Sequence, residues 1–207
     1  MKKKRLVAIV AVAFMAVAFL GFTFSILGSE RQADATFYMV AEKAIRDKND
    51  ALNFAVTVKS RGGAGYLYLK NDRFYVVLSC YEKLDDAKKV AKNLQGVDVV
   101  ELKIAVSKNP AKAAAQRVGI EISNELYDLS IAFDGGKMDV KTLNKRLQTL
   151  KGTLNEKLTK TTNSSIDVSA VASFMSAIDN LLTSNEKYLG WNLKYQRIRL
   201  LNICKDI

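Results

Sequence analysis

FYVVLSCYEKLDDAKKVA, residues 74–91, changes periodicity half-way, and that change decides how the chain is read. Phe74 to Leu78 is an unbroken run of aromatic and branched residues, the pattern of a strand that alternates its side chains between two faces. From Leu84 the period lengthens. Ala87, Val90, Ala91 and Leu94 share one side of a helix, Lys88, Lys89 and Lys92 take the other, and Asp85-Asp86 sits in the first turn, where acids favour the helix dipole. Gly96 ends that helix, and Val97 to Ile104 supplies a further strand.

Upstream the same order repeats. Phe37 to Ala41 reads as a strand and Asp47 to Lys59 as a helix with Asp47 or Asn49 as its cap; Arg61-Gly62-Gly63-Ala64-Gly65 stops it. Tyr66 to Leu69 then alternates into a turn at Asn71-Asp72. Two βαβ halves predict a four-stranded, mainly antiparallel sheet with two helices on one face, a ferredoxin-like βαββαβ domain over 36–106. The other sheet face is left without helices, hence solvated or a binding surface. From Asn109-Pro110 the strand signals cease. A stripe of Val118, Ile122, Leu126, Leu129 and Phe133, a seam of Val140, Leu143, Leu147, Leu150, Leu154 and Leu158, and a tract from Asp167 to Leu201, read as one bent helix or two, predict a three- or four-helix antiparallel bundle over 109–207.

At the other end, residues 6–27 carry no charge and follow Lys2-Lys3-Lys4-Arg5. As a helix this segment spans about 33 Å, enough for a hydrocarbon core of about 30 Å. The basic flank holds residues 1–5 in the cytoplasm and the body outside, the arrangement of a single-pass cell-membrane protein. Ala33-Asp34-Ala35 also fits a signal-peptide cleavage site, so permanent anchor and removal after Ala35 both stand as readings. The fold class expected is therefore α+β, with an N-terminal transmembrane helix, the ferredoxin-like domain and the bundle.

Composition narrows function by exclusion. The net charge of +11 includes the four basic residues at 2–5, and the remaining surplus is too evenly spread to demand nucleic acid. The chain has no histidine, which removes the usual general acid–base and zinc ligand, and it carries no nucleophile elbow, phosphate loop or paired-cysteine motif. Neither an enzyme nor a cofactor or metal is expected. Cys80 and Cys204 are compatible with an exported disulfide or with two separate buried thiols.

The positive signal is aromatic. Tyr66, Tyr68, Phe74, Tyr75 and Tyr81 fall within 16 residues of a chain only 9% aromatic. Alternation puts Tyr66 with Tyr68, and Tyr75 opposite Phe74, Val76 and Leu78, so Tyr75 points to the open sheet face if those three pack on the helices. Rings with hydroxyls there suit sugar rings or peptide planes, although tyrosine also packs well in ordinary strands.

Residues 74–91 resemble the second half of a SPOR domain, in which an aromatic-x-Val-x-Val strand leads through a short charged turn into a helix opening with an acid and Ala; Tyr38 through Ala51 is similar to the first half. The resemblance covers 36–106. Ser79 and Tyr81 stand where Gly and Phe are usual, and Val40 to Ile45 lacks the family's Gln and Gly. The resemblance implies a non-catalytic peptidoglycan-binding module of cell division or sporulation, with Tyr66, Tyr68, Tyr75 and Tyr81 stacking on glycan and Lys70 and Arg73 bonding hydroxyls or carboxylates. The competing expectation is an envelope assembly or scaffold protein without glycan affinity. Its helical half would contact a protein partner or a second copy.

Overall fold

The computed structural model describes residues 34–42, 44–160 and 166–207, with side chains except at 157–160. Asp34–Ile207 forms one compact unit. Its first part runs β1 (Ala35–Glu42), α1 (Lys48–Ser60), β2 (Tyr66–Lys70), β3 (Arg73–Tyr81), α2 (Leu84–Lys92) and β4 (Val97–Ile104). The four strands form one sheet in the order β2-β3-β1-β4, every neighbouring pair antiparallel. Asp47 caps α1 by accepting from the N–H groups of Asn49 and Asp50. Asn71 and Asp72 both have positive φ, 52° and 55°, the geometry of the tight turn that matches strand twist, and it sets Lys70 opposite Arg73.

The second part contains α3 (Pro110–Asp134), α4 (Val140–Lys160), α5 (Val168–Leu182), a 3-10 turn (Glu186–Tyr188) and α6 (Leu189–Asp206). Asn109 caps α3 just before Pro110, and Asp167 caps α5. The tract from Asp167 is thus two helices, separated where Asn185 caps the 3-10 turn.

Alternation along the strands creates two cores. Phe74, Val76 and Leu78, with Leu67, pack against Ala51, Ala55 and Val58 of α1. The opposite face presents Phe37, Met39, Val77, Val100, Leu102 and Ile104, which merge with the buried leucines of the helical half into one continuous core. β4 shows the rule most simply: Val100, Leu102 and Ile104 are buried while Glu101 and Lys103 between them face solvent.

This arrangement corrects the expected fold class. The chain is α+β, but the helices from 110 onward do not stand beside the sheet as a separate bundle. α6 lies across the face left without helices in the sequence reading, touching β2, β3 and β4 on one side and α3 and α5 on the other. The physical reason is that this face is as apolar as the one under α1, and apolar area of that size is stable only under cover. Nor is any helix among the described residues long and apolar enough to cross a membrane. The expected span, 6–27, and the tail 1–5 lie outside the described residues. Ala35, the residue before the possible cleavage point, is paired in β1 with Ile104, and Asp34 accepts a hydrogen bond from the Val106 N–H at 3.0 Å. Cys80 and Cys204 are separate, buried thiols.

Candidate functional site

The tyrosines singled out by the sequence do not form an open platform. Tyr66, Tyr68 and Tyr75 share the sheet face that α6 covers. Tyr66 meets the ring of Tyr195 edge-on, with centroids 5.3 Å apart. Burial, reinforced by Tyr195, pushes its hydroxyl up to about 12. Tyr68 is only 5% exposed, and Lys205 Nζ sits over its ring at 5.3 Å and 3.5 Å from its hydroxyl. Tyr75 is half-buried across the hairpin from Tyr68. Tyr81 lies apart, at the far end of β3, edge-on to Tyr127 of α3 with centroids 6.2 Å apart. Arg73 is exposed and Lys70 half-exposed at the hairpin tip. The structure thus brings three tyrosines together under a helix and leaves the other three residues elsewhere.

A different site emerges at the end of β3. β2 pairs with β3 only as far as Val77, and a register shift in the β1–β3 pairing falls between Val40 and Ala41. Residues 78–81 therefore have β1 on one side and no strand on the other. The loop before β2 and helix α6 close in on this edge instead. The Leu78 carbonyl accepts from the Ala64 N–H at 2.8 Å, and the Cys80 carbonyl accepts from Nη1 of Arg197 on α6. A cleft of about 930 Å³ opens here between α1, α2, α3 and α6. Val58, Leu78, Val90 and Leu94 make its apolar walls, and Arg61, Lys194 and Arg197 supply positive charge against Glu42 and Asp134.

The charges are not equally matched. Lys194 is paired with Asp134, and donates to the Gly62 carbonyl at 2.7 Å. Glu42 lies near enough to Arg61 to feel its charge, though burial dominates and holds the Glu42 carboxyl above its usual range. Arg197 is 3% exposed and bonds no carboxylate among the described residues. Its guanidinium lies over the Tyr127 ring at 4.1 Å, a cation–π contact strengthened by burial. Burial lowers the affinity of Arg197 for its proton, offset in part by the Cys80 thiol, the Tyr127 hydroxyl and the carboxylate of the exposed neighbour Glu82. The same burial raises the Cys80 thiol to about 11 despite the neighbouring guanidinium. Nε and Nη2 of Arg197 find no acceptor among the described residues.

Arg197 did not figure among the residues expected from the sequence, yet a signal for it exists there. Leu193, Arg197, Leu200, Leu201 and Cys204 follow helical spacing, so the arginine interrupts an otherwise apolar stripe. Such a position demands a partner or a role, because a charge is almost never buried alone. Comparison with known proteins leaves this reading to stand by itself: no family model, no curated protein and no solved structure matches the chain.

Proposed function

We propose that this chain is a non-catalytic protein of the cell envelope, directed there by its apolar segment 6–27, and that it works as an assembly or scaffold element through contacts with protein. One observation supports that reading above glycan binding. The SPOR-like sheet face on which Tyr66, Tyr68 and Tyr75 would stack against sugar is occupied by α6, with Tyr195 and Lys205 already on two of the rings. Stacking on a glycan strand requires both faces of the contact to be bare, and lifting α6 would uncover Leu193, Leu200 and Leu201, all buried. Each fully buried leucine is worth about 1.5–3 kcal/mol, so a weak sugar contact does not displace the helix.

Co-sedimentation with peptidoglycan sacculi tests the proposal. The full-length protein is expected to stay in the supernatant with both intact and amidase-treated sacculi, while light scattering shows whether it associates with itself. Selective pelleting with amidase-treated sacculi overturns the scaffold reading in favour of a peptidoglycan-binding module of division or sporulation.

A further inference from the structure

The cleft at the bare end of β3 offers an inference that does not rest on the scaffold reading. Three observations converge on Arg197. It is almost wholly buried, and its Nη1 is committed to the Cys80 carbonyl. The two donors left without an acceptor, Nε and Nη2, are the two that lie side by side along one edge of the planar guanidinium. Those parallel N–H groups match the two oxygens of a carboxylate in spacing and direction, the strongest bidentate pairing available to arginine. A buried donor left unmade costs about 1–3 kcal/mol, more when charged, so two such donors on one group mark a place where an acceptor belongs.

The surroundings say which kind. Lys194 and Asp134 neutralise each other, so the excess positive charge at the inner wall is that of Arg197. Glu42 on the same walls disfavours a multiply charged anion such as phosphate. Val58, Leu78, Val90 and Leu94 favour an apolar body attached to the charge. Tyr127, half-exposed, lies over the guanidinium with Tyr81 against its own edge, and Nε and Nη2 themselves are closed to solvent.

We propose that this cleft binds a monocarboxylate with an apolar body, its carboxylate held side-on by Nε and Nη2 of Arg197 once the side chains that close these two donors off from the cleft move aside. The carboxylate has two sources to be told apart: a free aliphatic acid, or the C-terminus of an apolar peptide.

The side-chain Nε–H resonance of Arg197 in the ¹⁵N-labelled full-length protein, assigned by its loss in Arg197→Lys, reads the site directly. Titration with hexanoate is expected to shift that resonance saturably, and the uncharged isostere hexanamide to leave it in place. An apolar tetrapeptide with a free C-terminus, set against its C-terminal amide, separates the sources: a tighter response to the peptide acid assigns a peptide, and a response to hexanoate alone assigns a free acid. Arg197→Lys keeps the charge without the fork and is expected to weaken binding about tenfold or more, followed on the Tyr127 and Cys80 backbone amides. Three outcomes overturn the proposal. They are no shift with either carboxylate, an equal shift with inorganic phosphate, and a large change in the free protein's Arg197 signal on Glu82→Gln, which would mean that the neighbouring Glu82 already holds the fork.

Discussion

Gln116 on α3 donates from Nε2 to the carbonyl oxygen of Cys204 on α6, 2.9 Å away inside the core. The same amide nitrogen donates to the Ala105 carbonyl at 3.0 Å, and its Oε1 accepts from the Ser107 N–H at 2.9 Å. One buried side chain thus ties the exit of β4, the body of α3 and the end of α6. Gln116→Leu keeps much of the volume but strands these backbone groups, and is expected to destabilise the protein by about 2–4 kcal/mol. Urea denaturation should show a lower midpoint with an unchanged slope.

Gly119, one turn beyond Gln116, lets α3 and α6 approach closely. A methyl group there would lie 2.6 Å from Cζ of Phe174 and against the Cys204 sulfur, and both neighbours are fully buried. Alanine gains about 1 kcal/mol of helix propensity. Overpacking a rigid contact costs about 1–3 kcal/mol, so the clash is expected to win. Gly119→Ala should melt at a lower temperature, and pairing it with Phe174→Leu should restore part of the loss.

Burial holds Cys80 up to about 11 and Cys204 up to about 12. Thiols in the unfolded chain ionise near about 8.5, so above that pH the unfolded state releases protons that the native state keeps. Stability is expected to be full below about pH 8.5 and to fall as pH climbs through 9 to 11. Cys80→Ala should flatten the first part of that fall in a series of denaturation midpoints against pH. Neither thiol should react with an alkylating reagent at pH 7.5 until denaturant is added.

Lys59 Nζ sits 4.7 Å from the ring centre of Trp191 and 4.9 Å from that of Tyr195, linking α1 to α6 around the sheet edge. Burial also lowers the proton affinity of this amine. Lys59→Met retains the aliphatic stem and removes the charge, and is expected to cost about 0.5–1 kcal/mol. Because Trp191 is the chain's one tryptophan, its emission should change in the same variant, which places the loss at this contact.

Much of the local structure was readable because local chemistry sets it. Asp47, Asn109 and Asp167 announce their helices by supplying the missing acceptor at an N-terminus, and Asn71-Asp72 tolerates the positive φ its turn needs. The cover on the sheet was not read, although a clue was present. In β1, Phe37, Met39 and Ala41 alternate with Tyr38 and Val40, so neither face is polar. That is the signature of a strand buried on both sides. The sheet's cover, α6, begins 85 residues after the last strand ends, and no short-range pattern connects the two. The aromatic cluster misled for the same reason: a tyrosine suited to a sugar is equally suited to a lysine or to another tyrosine. Arg197 is not legible as a site in the sequence, because its meaning depends on β3 losing β2 as a neighbour after Val77, a fact of pairing rather than of spacing.

The placement of α6 also constrains the order in which the molecule is made. Strands drawn from residues 35–104 expose Phe37, Met39, Leu102 and Ile104 until residues 189–206 have been synthesised and have come back to meet them. For the time it takes to add about a hundred residues, at about 5–20 per second, the nascent chain carries a sticky apolar sheet. Closure over so long a sequence separation is slow as well. The protein therefore depends on α6 to keep from aggregating during its own synthesis, and a chain interrupted before Leu189 would present that sheet to every neighbour it met.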